Sequence, residues 1–431
     1  MSVDNKVPEI RFKGFSGAWD KEILGELVKL ENGFAFQSKY FKKTPTEVIV
    51  LTPGSVNIGG GFQTGKGQYY DEKKEVSSKY VFKPGDMFIT MTDLTPTAQA
   101  LGFPAIIPKD ENTYLHNQRL GKLVGFNGDL AFLYSLLCTM KKQKEVVSTS
   151  SGTTVKHTSP DKFLNRICLF PNKEEQTQIG NYFLKLDNLI HQHQKKHDKL
   201  SSIKKTMLEK MFPKQGETIP EIRFKGFSGE WENMPFGACF VNVPNNTLSR
   251  ADLNYEDGMA KNIHYGDVLI KFGEVLDATN ELLPFITNND LANKLKHAAL
   301  RDGDIIIADA AEDSMVGKCT ELFNIDEQLV LSGLHTIAVR PTLPFASKYL
   351  GYYLNSSSYH DQLFSLMQGT KVLSISKTAI QNTNVGFPKS VEEQAAIGNY
   401  FQKLDNLINQ QQQQITKLNN IKQACLRKMF V

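Results

Sequence analysis

Cysteine is scarce in these 431 residues: five are scattered at Cys138, Cys168, Cys239, Cys319 and Cys425, with no CxxC spacing. An odd, dispersed set argues against a disulfide framework or a thiolate zinc centre and favours a reducing cytoplasm. Long hydrophobic runs are missing too. The longest, near residues 130–138, is far short of the roughly 20 apolar residues that a bilayer-spanning helix needs, so no membrane partner is expected. The opening MSVDNKVPEIRF lacks the apolar core of a secretory leader. Neither sign of charge dominates: the net charge is +4. That neither demands nor excludes a nucleic acid, because a local basic face can sit within a near-neutral total. At 40% hydrophobic and 22% charged residues, the chain is of ordinary globular composition and long enough for two or three domains.

Signatures of chemistry are also sparse. No Asn-Pro-Pro-aromatic tetrapeptide of methyltransferases occurs, and no glycine fingerprint sits in a strand–turn–helix frame. Residues 60–66, GGFQTGK, fit GxxxxGK. The next residue is Gly67 rather than Ser or Thr, and Gln-Tyr-Tyr follows in place of a helix, so the magnesium-binding hydroxyl and the helix N-terminus are both missing. A glycine-rich loop is the better reading. His191, His193 and His197 lie near one another, and the last two have i, i+4 spacing. They fall in an apolar seam, and the second copy of that seam carries Gln411 and Ile415 there. Polar residues that fix helix register explain them better than a metal.

Repetition is what the sequence has in plenty. Residues 174–212, EEQTQIGNYFLKLDNLIHQHQKKHDKLSSIKKTMLEKMF, recur 218 positions later as EEQAAIGNYFQKLDNLINQQQQQITKLNNIKQACLRKMF. Apolar residues at Ile179, Phe183, Leu186 and Ile190, then Leu200, Met207 and Met211, follow the alternating 4 and 3 spacing of a coiled-coil seam. Ser390 with Glu393 matches a capping box and Asn172 with Glu175 a looser one, while Pro213 closes the first helix. Each helix should be roughly 50 Å long. A second repeat frames the first: PEIRFKGFSG stands at residues 8–17 and again at 220–229, each followed by one of the chain's two tryptophans, Trp19 and Trp231. This is an internal duplication.

The two middles differ in sequence but share landmarks. Each has Gly-Asp before an apolar run (Gly85-Asp86, Gly303-Asp304), then Gly-Thr-x-Val (from Gly152 and Gly369), then Phe-Pro (Phe170-Pro171, Phe387-Pro388). Turn then buried strand is the reading for the first landmark. The predicted fold class is α+β: two mixed α/β domains with a curved sheet and helices near residues 130–145 and 345–367. A long antiparallel two-helix coiled coil joins them, with a pseudo-two-fold internal repeat. Chain order makes the helices antiparallel. Two divergent domains on a repeated rod suit the measurement of distance between two different half-sites, and asymmetric bipartite DNA is one such target.

The ordered combination of PEIRFKGFSG-x-Trp, GTTVKHTSPDKF at residues 152–163, ENGFAFQSKYF at residues 31–41 and the EEQ…IGNYF-x-KLDNLI helices resembles the specificity subunit of Type I restriction–modification enzymes. The likeness runs over nearly the whole chain. It implies a target recognition domain over residues 1–172, a helical spacer region over 173–212, a linker and second recognition domain over 213–389, and a second helical region over 390–431. It implies a non-catalytic, cytoplasmic subunit that binds double-stranded DNA, two methyltransferase subunits and motor–nuclease restriction subunits. S-adenosylmethionine, ATP and magnesium would belong to those partners, with no cofactor in this chain. The second domain's opening, VNVPNNTLSRADLN, departs from the ENGFAFQSKYF pattern. Two other readings stay open on the residues alone: a coiled-coil adaptor with two divergent protein-binding domains, and a nucleoside-triphosphate-dependent nuclease using residues 60–66.

Base edges are read by exposed donors and acceptors, and phosphates by Lys, Arg, Ser, Thr and backbone amides. In the first domain the candidates are Gln37, Ser38, Lys39 and Tyr40; Thr90, Thr92 and Asp93 after a buried strand; Asn117, Gln118 and Arg119 beside His116; and Thr153, Thr154, Lys156 and His157. In the second they are Asp309, Ser314 (with Glu312), His335, Thr370 and Lys371, with Asn245, Asn246 and Arg250 as outsiders. Lys195, Lys196, Lys199, Lys204 and Lys205 make the first helix basic, which suits solvent or the spacer's phosphates. Tyr182, Leu189, Tyr400 and Leu407, off the helical seam, are candidates for docking the methyltransferase subunits.

Overall fold

A computed structural model describes residues 6–95 and 97–431; residues 1–5, part of the stretch read for a leader, lie outside it. The chain forms two compact units, residues 1–193 with 413–431 and residues 194–412. Both are α+β.

In the first unit a four-stranded antiparallel sheet runs Lys29–Asn32, Leu120–Val124, Met87–Thr90, Pro104–Ile106. Beside it, Val48–Val50 pairs antiparallel with Gln68–Tyr69 and parallel with Thr113–Leu115. Two short ribbons complete it: Asp20–Ile23 with Ile167–Phe170, and Thr92–Asp93 with Lys156–His157. In the second unit the main sheet has five strands, in the order Phe240–Val243, Thr336–Pro341, Ile305–Ala308, Cys319–Phe323, Val275–Asp277. Its two ribbons are Glu232–Pro235 with Asn384–Phe387, and Ala310–Ala311 with Leu373–Ser374. Several small sheets thus replace the one curved sheet expected.

The Gly-Asp landmarks open the central strands for a shared reason. Asp86 accepts the Lys83 N–H at 2.7 Å and pairs with Lys122 on the neighbouring strand at 2.6 Å. Asp304 accepts the Arg301 N–H at 2.8 Å and takes both arms of Arg340, at 2.8 and 2.7 Å. A carboxylate that closes a turn and grips the next strand fixes where the strand begins. The helix expected near residues 130–145 is broken into Leu130–Leu137 and Met140–Ser148, because Thr139 caps the second piece. The one expected near 345–367 is broken at Ser356 into Tyr349–Asn355, Ser357–His360 and a 3₁₀ segment, Asp361–Leu366. Residues 60–66 lead into the Gln68–Tyr69 strand, so no helix N-terminus follows the glycines and the nucleotide-site reading fails on geometry.

The long helices span Lys173–Lys210 and Val391–Lys428. Asn172 accepts the Glu175 N–H and Ser390 the Glu393 N–H, so both side-chain caps form. The glutamates do not return to the cap, as a capping box requires. Each instead takes a bidentate arginine from the PEIRFKGFSG repeat. Arg11 reaches Glu175 at 2.7 and 2.6 Å, and Arg223 reaches Glu393 at 2.6 and 2.7 Å. The same repeat hydrogen-bonds the last turn of the other long helix, through Ile10 N–H to the Lys428 carbonyl and Ile222 N–H to the Lys210 carbonyl. Trp19 stands edge-on to Phe430, and Trp231 to Phe212. In each unit the repeat is therefore a strap that ties the start of one long helix to the end of the other. The helices touch within each unit as well: Lys422 bonds Asp187 at 2.6 Å in the first, and Lys204 bonds Asp405 at 2.6 Å in the second. Those two pairs are copies of each other under the duplication.

Candidate nucleic-acid interface

In the first unit, backbone hydrogen bonds string four of the predicted segments along one edge. Phe34 N–H donates to the His116 carbonyl at 2.8 Å, and Gln118 N–H donates back to the Phe34 carbonyl at 3.1 Å. Met91 N–H then donates to the Arg119 carbonyl at 2.9 Å, and Thr158 N–H to the Met91 carbonyl at 3.0 Å. Loop 33–40, turn 117–119, the end of the central strand and hairpin 151–157 are thus neighbours.

The hairpin depends on Gly152. Its φ is +97°, and an added Cβ would collide with the Val155 carbonyl. Ser151 and His157 exchange backbone bonds beneath the tip, which leaves Thr153, Thr154 and His157 exposed and Lys156 half-buried. In the second unit Gly369, at φ +117°, makes the same turn against the Val372 carbonyl. Gln368 and Ser374 exchange the bonds, and Thr370 and Lys371 stand exposed at the tip.

Gln37, Ser38 and Lys39 are exposed on a short 3₁₀ turn, with Tyr40 half-buried. Lys39 and Lys74 lie 5.0 and 5.3 Å from the Tyr40 ring centre. Phe34, which sequence reasoning passed over, is 44% exposed and packs on Tyr80 at 5.1 Å, with Lys79 above that tyrosine. One exposed and two half-buried aromatics interleaved with lysines suit a polyanion with flat bases. Their signal was the two phenylalanines of ENGFAFQ. Gln118 and Arg119 are exposed, and Asn117, half-buried, accepts the Arg119 N–H and shapes the turn.

Some candidates do not reach the surface. Thr90 is fully buried in the central strand and donates its hydroxyl to the Ala100 carbonyl. Asp93 is also buried. It accepts the Thr95 N–H and hydroxyl and the Ala100 N–H, so it ties Thr95 to Ala100 rather than facing out as a DNA contact. Thr92, between them, is half-buried and pairs with His157. His116 is buried against the Leu120 carbonyl, and burial pushes its pKa down.

The second unit repeats this edge with other side chains. Asp309 N–H donates to the His335 carbonyl at 3.1 Å, and Ile375 N–H to the Asp309 carbonyl at 2.9 Å. His335 is exposed and Ser314 and Glu312 lie exposed nearby in sequence to Asp309, which is half-buried. Burial raises the Asp309 pKa, with His335 opposing. Asn245 bridges the Gly333 carbonyl and the Lys377 ammonium, at 3.4 and 3.0 Å. Lys377 was missed in the sequence, where nothing marks it. Arg250 and Lys271, both about half exposed, share the buried carboxylate of Asp267. Asn246 is buried against Asn262.

On the long helices Tyr182 and Tyr400 are half-buried, each edge-on to the phenylalanine of its strap, Phe12 or Phe224. Their rings are committed within their own unit, because the strap needs an aromatic seat. Leu189 is 43% exposed and Leu407 half-buried. Among the described residues no group of three or more His, Cys, Asp or Glu is placed to hold a metal ion, and no helix is long and apolar enough to cross a membrane.

The profile of the Type I restriction modification DNA specificity domain matches residues 17–202 and 261–419. The specificity subunit of the Type I restriction enzyme MjaVIII of Methanocaldococcus jannaschii is 27% identical over 286 residues, which are 65% of this chain and 64% of that subunit. The match therefore spans a little under two thirds of that relative's length. The S subunit of a Type I restriction–modification system from M. genitalium shares the fold, with a TM-score of 0.58 over 99% of both chains at 15% identity. So does a chain solved in work on complex assembly and conformational transition of the type I R-M system, with a TM-score of 0.51 over 95% of this chain and 97% of that one at 17% identity. With the domain profile matched over well above half its length, the chain belongs to the Type I restriction–modification DNA specificity family.

Proposed function

We propose that the chain is the DNA-recognition subunit of a Type I restriction–modification complex, each unit reading one half of an asymmetric bipartite site. One observation carries this: the same hydrogen-bonded edge is built twice, with different side chains on it. The two long helices act as an antiparallel coiled coil that sets the unread spacer and docks two methyltransferase subunits; restriction subunits complete the assembly. The Asp187–Lys422 and Lys204–Asp405 pairs, 2.6 Å each, support that pairing. The chain itself is non-catalytic and works in the cytoplasm. S-adenosylmethionine, ATP and magnesium act in the partner subunits.

Phosphate contacts come from the Gly152 and Gly369 hairpins and from Lys39, and base contacts from the turns at residues 117–119 and 333–335. The test is methylome sequencing of a host that carries the whole system, before and after residues 20–170 are exchanged for another family member's. One half-site should change and the other should not. A protein-binding adaptor would instead show no sequence-specific, salt-dependent DNA shift with methyltransferase subunits present.

A further inference from the structure

We infer that Arg119 and the His335–Asp309 pair occupy one and the same reading position in the two units, and that each decides a single base of its half-site. This rests on the function proposed above. The correspondence comes from the backbone. In the first unit Thr90 is paired with Leu120; in the second, Ala308 with Thr336. One residue beyond each pair, the strands separate, and the residue after the central strand donates its N–H to the carbonyl of the residue before the neighbouring one. Those bonds are Met91 to Arg119 and Asp309 to His335, at 2.9 and 3.1 Å. The recognition hairpin then docks on the same residue from the other side, through Thr158 to Met91 and Ile375 to Asp309, at 3.0 and 2.9 Å. Arg119 and His335 are therefore the same place in the fold, although nothing in their sequence neighbourhoods aligns them.

The chemistry at that place differs in kind. Arg119 is exposed, and its guanidinium makes no hydrogen bond or ion pair with the described residues. A free planar fork matches the adjacent O6 and N7 acceptors of guanine in the major groove. His335 is braced instead. Its Nδ1 faces Asp309 Oδ1 at 3.3 Å, its ring stands edge-on to Tyr265 at 5.3 Å, and its φ is +54°. Left-handed backbone at a residue other than glycine is a strain that clusters at functional positions. With Nδ1 engaged by the carboxylate, Nε2 is the edge left for a base, one bond where arginine makes two. Asp309 is a positioning residue, and Met91 in the first unit has no such duty because arginine needs no tautomer fixed. The first half-site should therefore contain a guanine that is strictly required, and the second a position that is read less stringently.

The experiment selects DNA from a library with both half-sites randomised, at fixed salt. It uses the chain assembled with its methyltransferase subunits, as wild type, Arg119→Ala, His335→Ala and Asp309→Asn, with thermal melting as a check on folding. Arg119→Ala should lower the preference for one guanine in one half-site by about 10- to 100-fold and leave the other half-site intact. His335→Ala should relax one position in the other half-site, and Asp309→Asn should relax that same position. Three results overturn the inference: an unchanged motif, an equal loss on every sequence (a phosphate contact), or His335→Ala acting on the half-site that Arg119→Ala affects. A wild-type assembly that selects no sequence at all would instead sink the proposed function.

Discussion

Replacing Arg11 by methionine tests whether the strap holds the first unit together. Glu175 is fully buried, and its carboxylate oxygens receive Arg11 Nε and Nη2 at 2.7 and 2.6 Å, while Nη1 reaches the Gly17 carbonyl at 2.6 Å. The arginine side chain is only 13% exposed. Removing it leaves a buried carboxylate without a counter-ion, which costs about 3–5 kcal/mol. For a unit of this size each kcal/mol lowers the melting temperature by about 2–4 °C, so a drop of roughly 10 °C is expected. Scanning calorimetry gives the size, and hydrogen exchange shows whether the loss is confined to residues 1–193 and 413–431. Arg223→Met should do the same to the other unit through Glu393. The double variant Arg11→Met/Glu175→Leu removes both charges and should recover most of the loss, since a buried pair is often replaceable by packed apolar residues. A single-variant loss below about 1 kcal/mol, the range of a surface pair, would refute the reasoning. So would a double variant no better than the single.

Gly152→Ala should weaken DNA binding by the assembled complex while leaving the melting temperature near wild type, because φ of +97° and the Val155 carbonyl exclude a Cβ at the hairpin alone; unchanged affinity would show that the hairpin does not touch DNA. Thr90→Val should cost about 0.5–1.5 kcal/mol of stability, by removing one of two donors to the half-buried Ala100 carbonyl (the Phe103 N–H stays), and leave the selected motif unchanged. Glu321, buried with N–H groups of Lys348 and Gly351 on its oxygens, has its pKa pushed by burial from an ordinary 4.5 up to about 7. Between those values the folded chain binds more protons than the unfolded one, so stability should fall as pH rises across that window and level off outside it. Glu321→Gln should flatten that slope in urea midpoints taken from pH 4.5 to pH 8, and an identical slope in both proteins would place the titration elsewhere.

The long helices were legible in the sequence because 4 and 3 spacing survives any change of side chain that keeps the stripe apolar. Their straps were legible only as a repeated text. What the text does, Arg11 to Glu175 and Arg223 to Glu393, joins residues 164 and 170 positions apart, and no local pattern states such a pairing. It also explains why the expected capping boxes stopped half-formed: a carboxylate with a bidentate arginine has a stronger partner than a backbone amide. Thr90 and Asp93 were misplaced for a related reason. A polar residue after a buried strand reads as surface, but Asp93 gains three donors by turning inward.

The interface was legible in its pieces and not in its assembly. Gly-Asp and Gly-Thr-x-Val mark both units, and the strand that the first landmark opens ends beside the hairpin that the second one builds. The turns that carry Arg119 and His335 share no motif, because what makes them equivalent is a carbonyl and an N–H, which every residue but proline supplies. That division has a mechanical consequence. Backbone bonds and strap fix where the edge stands, and side chains with no part in that framework decide what the edge says. Arg119 can change without disturbing Met91's hold on its carbonyl, and His335 can change without disturbing Asp309's. On the function proposed above, the fold lets one half of the message be rewritten while the unit that carries it, and its grip on the long helices, stay as they are.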